Sequence, residues 1–493
     1  MAEMTEFMES GIPGLDHVLK GGLPRNRMYA VCGASGSGKT TMCLHFLIHG
    51  IGQGERCLYV GTSETEVEIR QVAESHGWSL EGLTIRYLRM TPDQNAGPEQ
   101  TMLHPAEVEL PRTVEALIGH IKEDDPQRVV IDSLSEIRLL AREENWYRRQ
   151  LVALKNFLME RQCTALLTDT ECKANSIVST LVHGAIEMKR ESPLYGPEKR
   201  HLMVGKLRGH DFVSGYHDYR IVRGGLRVFP RLIAAEHRTG FTNERLASGI
   251  PELDTLLGGG LDRGTSTVVD GAAGTGKSAI STQLAIAAAQ RGERSLIYCF
   301  DERLQTFFGR ARGLGMPIEK HVEEGTIIVR QVDPAELSAG EFSSMVVDAV
   351  TEKQVKMVIV DSLNGYVYAL PDERFLSVHL HELSSFLNLK GVVTVFTLAT
   401  HGGMSATGGI TPFEVSYVAD TVIGLRYFEF QGSIRKSISV QKKRGGDHER
   451  TIRELTMDSG GVHVGLVLKE FEGIISGLPK YVGRKLDEKE EDS

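Results

Sequence analysis

No run of about 18 consecutive apolar residues occurs in this 493-residue chain, so nothing in it reads as a membrane-spanning helix. The opening stretch, MAEMTEFMESG, is acidic and has no apolar core, which excludes a secretory signal there. Cysteine is scarce, at 6 residues, and none of Cys32, Cys43, Cys57, Cys163, Cys172 and Cys299 falls in a C-x-x-C pair. Zinc-ribbon and thioredoxin-type chemistry are therefore excluded, and reduced thiols are expected. Positive charge is short as well: 56 Lys+Arg stand against 65 Asp+Glu, a formal net charge of -9. That speaks against a general nucleic-acid coat, while leaving room for a local basic groove. These absences describe a soluble, cytoplasmic chain. Its length suggests roughly two to four domains, each large enough to bury a core without disulfides or metals.

What is present is repetition. Residues 10–16 read SGIPGLD and residues 248–254 read SGIPELD, and each leads into a glycine-rich stretch, Gly21-Gly22-Leu23-Pro24 and Gly258-Gly259-Gly260-Leu261. The repeat is domain-sized, too long for a solenoid unit. Short apolar runs alternate with longer amphipathic stretches in both halves. Candidate strands are Met28–Cys32, Cys57–Val60, Val129–Ile131 and Ala165–Thr168, then Ser266–Asp270, Ser295–Cys299, Met357–Val360 and Val392–Thr397. The pattern predicts two tandem α/β domains, each a mostly parallel sheet flanked by helices. The seam is expected within 229–242, giving domains at 1–236 and 237–483 and a charged, disordered tail at 484–493. Met90–Leu110, with three prolines, reads as a long surface loop.

Each half carries a phosphate-binding loop. Gly33-Ala34-Ser35-Gly36-Ser37-Gly38-Lys39-Thr40, continued by Thr41, matches G-x-x-x-x-G-K-[ST]. So does Gly271-Ala272-Ala273-Gly274-Thr275-Gly276-Lys277-Ser278, continued by Ala279. Glycines let backbone N–H groups turn inward around phosphate oxygens, the lysine neutralises the β- and γ-phosphates, and the Thr40 or Ser278 hydroxyl ligates Mg2+. The helix that follows turns its positive end to the same anion. Two matches, each after an apolar strand and at corresponding points of a repeat, point to ATP with Mg2+. The apolar runs ending in Asp132 and Asp361 supply a carboxylate beside each loop. Such a residue either holds Mg2+ through water or caps the next helix. Glu64 and Glu302 each lie 25 residues after their loop lysine. They can polarise an attacking water or hydroxyl, with Asp301 sharing the role in the second half, or they are solvated acids at helix starts.

Further motifs carry a resemblance. Val204-Gly205-Lys206-Leu207-Arg208-Gly209 and Val440-Gln441-Lys442-Lys443-Arg444-Gly445 recur in the two halves, and FEGIISG closes the second at residues 471–477. With the doubled SGIPxLD and loop motifs, these resemble the KaiC family, the RecA-like double-domain ATPases and autokinases of bacterial clock systems, over nearly the whole chain. The resemblance implies a homo-oligomeric, double-layered hexameric ring with ATP between subunits. Lys206, Leu207, Arg208, Lys442, Lys443 and Arg444 would then meet nucleotide bound by a neighbour, as an arginine finger does. It further implies slow hydrolysis in the first half and phosphoryl transfer in the second to Ser416, where the family has a Ser-Thr pair. Here the pair is Ser416-Tyr417, and Thr411 precedes it. The family's paired glutamates become Ser63-Glu64 and Asp301-Glu302. The short tail predicts no KaiA-type activator, while a KaiB-like or signalling partner is compatible with the family.

RecA- or RadA-type recombinases and DnaB-like helicases share the fold, so fold does not discriminate. The stretch 400–411, THGGMSATGGIT, occupies the place where those proteins meet single-stranded DNA, but it holds no Lys, Arg or aromatic residue, which strand binding uses. Nucleic acid is therefore not expected. A non-enzymatic scaffold, assembled by ATP and switched by phosphorylation, is the reading from another class.

Overall fold

A computed structural model describes residues 6–88, 105–141, 143–170, 176–193, 196–333, 335–368, 373–400 and 418–483. The chain divides into two compact units, Met1–Arg231 and Leu232–Ser493. The division falls where it does because Leu232 and Ala234 already join the second unit's core. The Ala234 N–H also donates to Glu382 Oε2 at 3.1 Å, and the Thr239 hydroxyl to the Leu389 carbonyl at 3.2 Å.

Each unit is built on a nine-stranded sheet, and the strand order is the same in both. In the first unit it runs Leu83–Tyr87, Cys57–Gly61, Arg128–Asp132, Thr164–Asp169, Met28–Gly33, Gly184–Glu191, Lys199–Leu207, Tyr216–Val222, Gly225–Phe229. In the second it runs Ile327–Gln331, Arg294–Cys299, Val355–Asp361, Val393–Ala399, Ser266–Gly271, Thr421–Phe430, Ser433–Lys443, Arg453–Asp458, Gly461–Val467. The first six of each are mutually parallel and the last three extend the sheet antiparallel. The tandem α/β expectation is therefore met.

The central strands are buried along their whole length, as in Met28–Gly33 and Ser266–Gly271. A parallel sheet with helices on both faces demands this continuous apolarity. One face of the first sheet packs on Leu110, Val114, Leu117 and Ile121 of the helix Pro105–Asp124 and on Leu151, Leu154 and Leu158 of the helix Glu144–Glu160. The helix Lys39–Gly52, which follows the phosphate loop, buries Met42, Cys43, Phe46 and Leu47. Its counterpart Lys277–Gln290 buries eleven residues and is apolar nearly all round, the pattern of a helix enclosed on every side.

Two expectations need correction. The loop expected over 90–110 ends sooner, because a helix spans Pro105–Asp124 with Pro111 inside it; 89–104 lie outside the described residues. Pro105 occupies the first helical position, where its missing N–H is no loss. The thiols are not all reduced: Cys43, Cys57, Cys163 and Cys299 are free and buried, but Cys32 is disulfide-bonded. Counting cysteines cannot show which thiols the chain path brings together. Among the described residues no helix is long and apolar enough to cross a membrane.

Arg128 fixes the floor of the first unit. It opens the strand that ends in Asp132 and is 1% exposed. It pairs with Glu55, donates to the carbonyls of Glu9 at 2.8 Å and Phe46 at 2.9 Å, and lies 4.5 Å over the Phe46 ring. One guanidinium so joins the strand to the loop helix. Burial pushes the Glu55 carboxyl up, but Arg128 and Arg25 outweigh that and hold it below its ordinary value. The pair's contribution is therefore present at neutral pH and is lost only as pH falls through that lowered value. Removing Glu55 strands a buried cation, so Glu55→Ala should destabilise the first unit by about 3–5 kcal/mol. In urea titrations followed by hydrogen exchange, protection in the first unit should fall while the second unit's stays unchanged.

Candidate functional site

Both sites sit at the carboxyl ends of the parallel strands, where the strand order around the loop strand opens a crevice. The loop strand Met28–Gly33 runs straight into the loop, and the helix starts at Lys39. Gly38 and Gly276 take the left-handed conformation, with φ of 93° and 113°. A Cβ on Gly38 would come 2.6 Å from Ile221 Cδ1, and one on Gly276 would come 1.8 Å from Met457 Cε. Only glycine fits both the angle and the space.

The loop lysines lie across their own loops. Lys39 Nζ donates to the carbonyls of Gly33 at 2.7 Å and Ala34 at 3.2 Å. Lys277 Nζ meets Gly271 and Ala272 at 2.9 Å each. Burial pulls both amines below the ordinary lysine range, and carboxylates resist the pull: Asp132, Asp169 and Glu64 around Lys39, Asp361 and Asp270 around Lys277. A desolvated cation at the mouth of a glycine cradle fits a polyphosphate.

The residues expected at the metal also converge in the first site. The Thr40 hydroxyl donates to Asp132 Oδ2 at 2.7 Å, Tyr59 donates to the same oxygen at 3.1 Å, and Thr168 donates to Oδ1. A hydroxyl and a carboxylate in contact form an oxygen donor set suited to Mg2+. In the second site the Thr397 hydroxyl holds Asp361 Oδ1 in the same way, and Ser278 follows Lys277 in the first turn of the helix.

The two glutamates differ in setting. Glu64 is half-buried and its Oε2 has no hydrogen-bond partner among the described residues. Burial first, then Asp132 and Glu68, push its carboxyl above the ordinary value, against the hydroxyls of Thr40 and Tyr59. Glu302 is raised by burial and by Asp361, but Arg310 opposes them through a 2.7 Å ion pair. Asp301 is turned elsewhere, accepting a hydrogen bond from the Ser362 hydroxyl.

Lys206, Arg208, Lys442 and Arg444 do not join their own unit's loop. Lys206 pairs with Ala185, which pairs with Ala30, three residues before Gly33. Lys442 pairs with Val422, which pairs with Val268, three residues before Gly271. That sets each at the opposite end of the strands from its loop, roughly 10 Å back along the sheet. There Lys206 donates to the Ser179 carbonyl at 2.7 Å, Arg208 to Thr180 at 2.8 Å, and Lys442 to Ala419 at 2.8 Å, while Arg444 lies 3.5 Å from Asp420. Leu207 is 7% exposed. The Lys443 side chain is 1% exposed and tied to Asp262 at 3.4 Å and to the Gly260 carbonyl at 3.0 Å, so its amine is committed within its own chain. Thr411, Ser416 and Tyr417, and the glycine-rich stretch after Thr400, lie outside the described residues.

Sequence reasoning missed three polar groups at the sites. Asp169 pairs in register with Cys32, is 1% exposed, and accepts from the Ser135 hydroxyl at 3.0 Å; its Oδ2 is buried without a partner among the described residues. The corresponding residue of the second sheet is Leu398, opposite Asp270. Asp270 in turn is paired with Arg426 at 2.8 Å. The strand candidates carried no sign of Asp169 because they stopped at Thr168. Arg310 and Arg426 sit 8 and 156 residues from their acids, offsets that no motif marks.

The sequence profile of the KaiC ATPase family matches residues 8–233 and again 246–467. The chain belongs to the KaiC ATPase family. It is 28% identical over 485 residues to the circadian clock protein KaiC3 of Synechocystis sp., covering 97% of this chain and 95% of that one. It is 27% identical over 486 residues to the circadian clock oscillator protein KaiC of Picosynechococcus sp., covering 97% and 93%. Against the clock oscillator protein of Synechococcus elongatus it is 26% identical over 490 residues, covering 98% and 93%. Membership in this ATPase family implies ATP binding, which the two KaiC-type loops fit. Lys39→Ala and Lys277→Ala should each reduce binding of a slowly hydrolysed ATP analogue from two per chain to one in equilibrium dialysis, with the double variant binding none.

Proposed function

We propose that this chain is an oligomeric, nucleotide-driven switch. ATP bound at the first loop is hydrolysed slowly, and ATP bound at the second is also hydrolysed and donates phosphate to Ser416 of a neighbouring subunit. The observation that carries the proposal is the register of Lys206 and Arg208, and of Lys442 and Arg444. Each pair lies roughly 10 Å back along the sheet from its own loop, whose lysine, Lys39 or Lys277, lies across the loop carbonyls. A ring of subunits, hexameric as in the resemblance, brings a neighbour's Lys and Arg to the γ-phosphate, where charge builds during transfer.

Thr40 with Asp132, and Ser278 with Asp361, are the residues that would hold Mg2+. When bound, the ion supplies neutralisation of the β- and γ-oxygens. In the first site Glu64 accepts a proton from the attacking water. Its raised affinity for protons suits that task, and hydrolysis there should fall off on the acid side at a pH above that of an ordinary glutamate. In the second site Glu302, with Asp301 beside it, accepts the proton of water or of the Ser416 hydroxyl. Tyr417 sets its own hydroxyl further from the backbone than threonine would, so transfer is assigned to Ser416 alone. The likeness to circadian clock proteins supports a clock or allied signalling setting, with a KaiB-like or signalling partner reading the phosphorylated state.

After incubation with Mg-ATP, mass spectrometry should find phosphate on the peptide containing Ser416, and Glu302→Gln should reduce it at least about tenfold. An unmodified peptide alongside intact hydrolysis would reduce the proposal to an ATPase without transfer.

A further inference from the structure

Glu302 is bound to a cation and Glu64 is not. Arg310 lies on the helix Leu304–Gly313, and its Nη1 donates to Glu302 Oε2 at 2.7 Å. Its guanidinium carbon is 5.3 Å over the ring of Phe307, which is 1% exposed and belongs to the core. The arginine is therefore held from both ends, while its Nη2 is buried without a partner among the described residues. The residue at the same offset from Glu64 is Val72, on the helix Glu66–His76. Both helices are N-capped by the residue after their glutamate, Thr65 and Arg303, so the two positions correspond. At that place in the first unit there is no charge, and Glu64 Oε2 is left unbonded among the described residues.

We infer that Arg310 is a positioning residue that restrains hydrolysis at the second site, by holding the Glu302 carboxylate ionised and turned away from the attacking water. This rests on the reading of Glu302 as that site's base. In hydrolysis the water oxygen bonds to the γ-phosphorus, the bond from γ-phosphorus to the bridging oxygen breaks to leave ADP, and the water's proton passes to the carboxylate. A carboxylate whose lone pair is given to a guanidinium accepts that proton less readily. Glu64 Oε2 carries no such guanidinium among the described residues. ATP thus persists longer at the second loop than at the first. The chain's two halves share a backbone, and the difference is carried by one side chain, arginine at 310 against valine at 72.

The test uses the full chain with Lys39→Ala, so that turnover reports the second site, and follows kcat and KM across the pH range in which carboxylates titrate. Arg310→Gln should raise kcat several-fold, leave KM for ATP nearly unchanged and move the acid limb of the profile to higher pH, and Arg310→Lys should return most of the way. A lower kcat, or an unmoved acid limb, overturns the proposal. Val72→Arg in the Lys277→Ala chain supplies the converse without touching Arg310. First-site hydrolysis should slow several-fold, and an unchanged rate would count against the inference. Glu302→Gln serves as the control for the underlying reading. If it leaves second-site hydrolysis intact, Glu302 is not the base and the restraint fails with it. If it stops hydrolysis while Arg310→Gln changes nothing, only the restraint fails.

Discussion

A hydroxyl-to-carboxylate hydrogen bond between adjacent central strands, Thr168 to Asp132 and Thr397 to Asp361, is the contact on which both sites depend. Asp132 is 7% exposed, and a carboxyl at that depth needs hydrogen-bond partners. The threonine supplies one donor, Thr40 and Tyr59 supply two more, and the carboxylate is thereby aimed at the mouth of the loop. Because the bond crosses from one strand to the next, it also ties the site to strand register. The same register that sets the aspartate beside the loop carries Lys206 and Lys442 to the far ends of their strands. One constraint thus sets half of each site, and in the proposed reading a neighbouring chain brings the other half.

On that shared skeleton the two halves differ in how their acids are partnered. The first has Asp169 and Glu64, each with a buried oxygen unbonded among the described residues, around a lysine that feels three carboxylates. The second has Glu302 on Arg310 and Asp270 on Arg426, around a lysine that feels two. A guanidinium takes up carboxylate lone pairs that the first half leaves open. The two halves thus partner their acids differently without any change of fold.

Four parallel strands of each sheet were legible in the sequence because each is largely an apolar run, whereas Leu83–Tyr87, Gly184–Glu191, Ile327–Gln331 and Thr421–Phe430 carry charged residues and were not; the loops were legible because glycine, lysine and a hydroxyl must stand at fixed spacing. Cys57–Gly61 and Val355–Asp361 extend their expected runs by one residue and by three. The antiparallel extension was not legible. Strands such as Lys199–Leu207 and Tyr216–Val222 are half-exposed and mix charged with apolar residues, so neither a continuous run nor a clean alternation marks them. The motif residues in them, Lys206 and Arg208, were found by resemblance, and only the register explains why they lie away from their own loop. Lys443 shows the converse limit, since it sits in the motif yet spends its amine on Asp262 and the Gly260 carbonyl. Arg310 and Asp169 were missed because their meaning is a contact, and no spacing encodes it.

The central claim is that each nucleotide site is completed by a second chain, and subunit mixing tests it most directly. In a Glu302→Gln background, which keeps the second loop able to bind ATP, chains carrying Lys39→Ala and chains carrying Arg208→Ala should each be nearly inactive alone. Mixed under conditions that allow exchange, they should regain hydrolysis, because a lysine from one chain and an arginine from the other meet at a shared face. If the mixture is no more active than its components while exchange is demonstrated, Arg208 does not act across subunits and the account is contradicted.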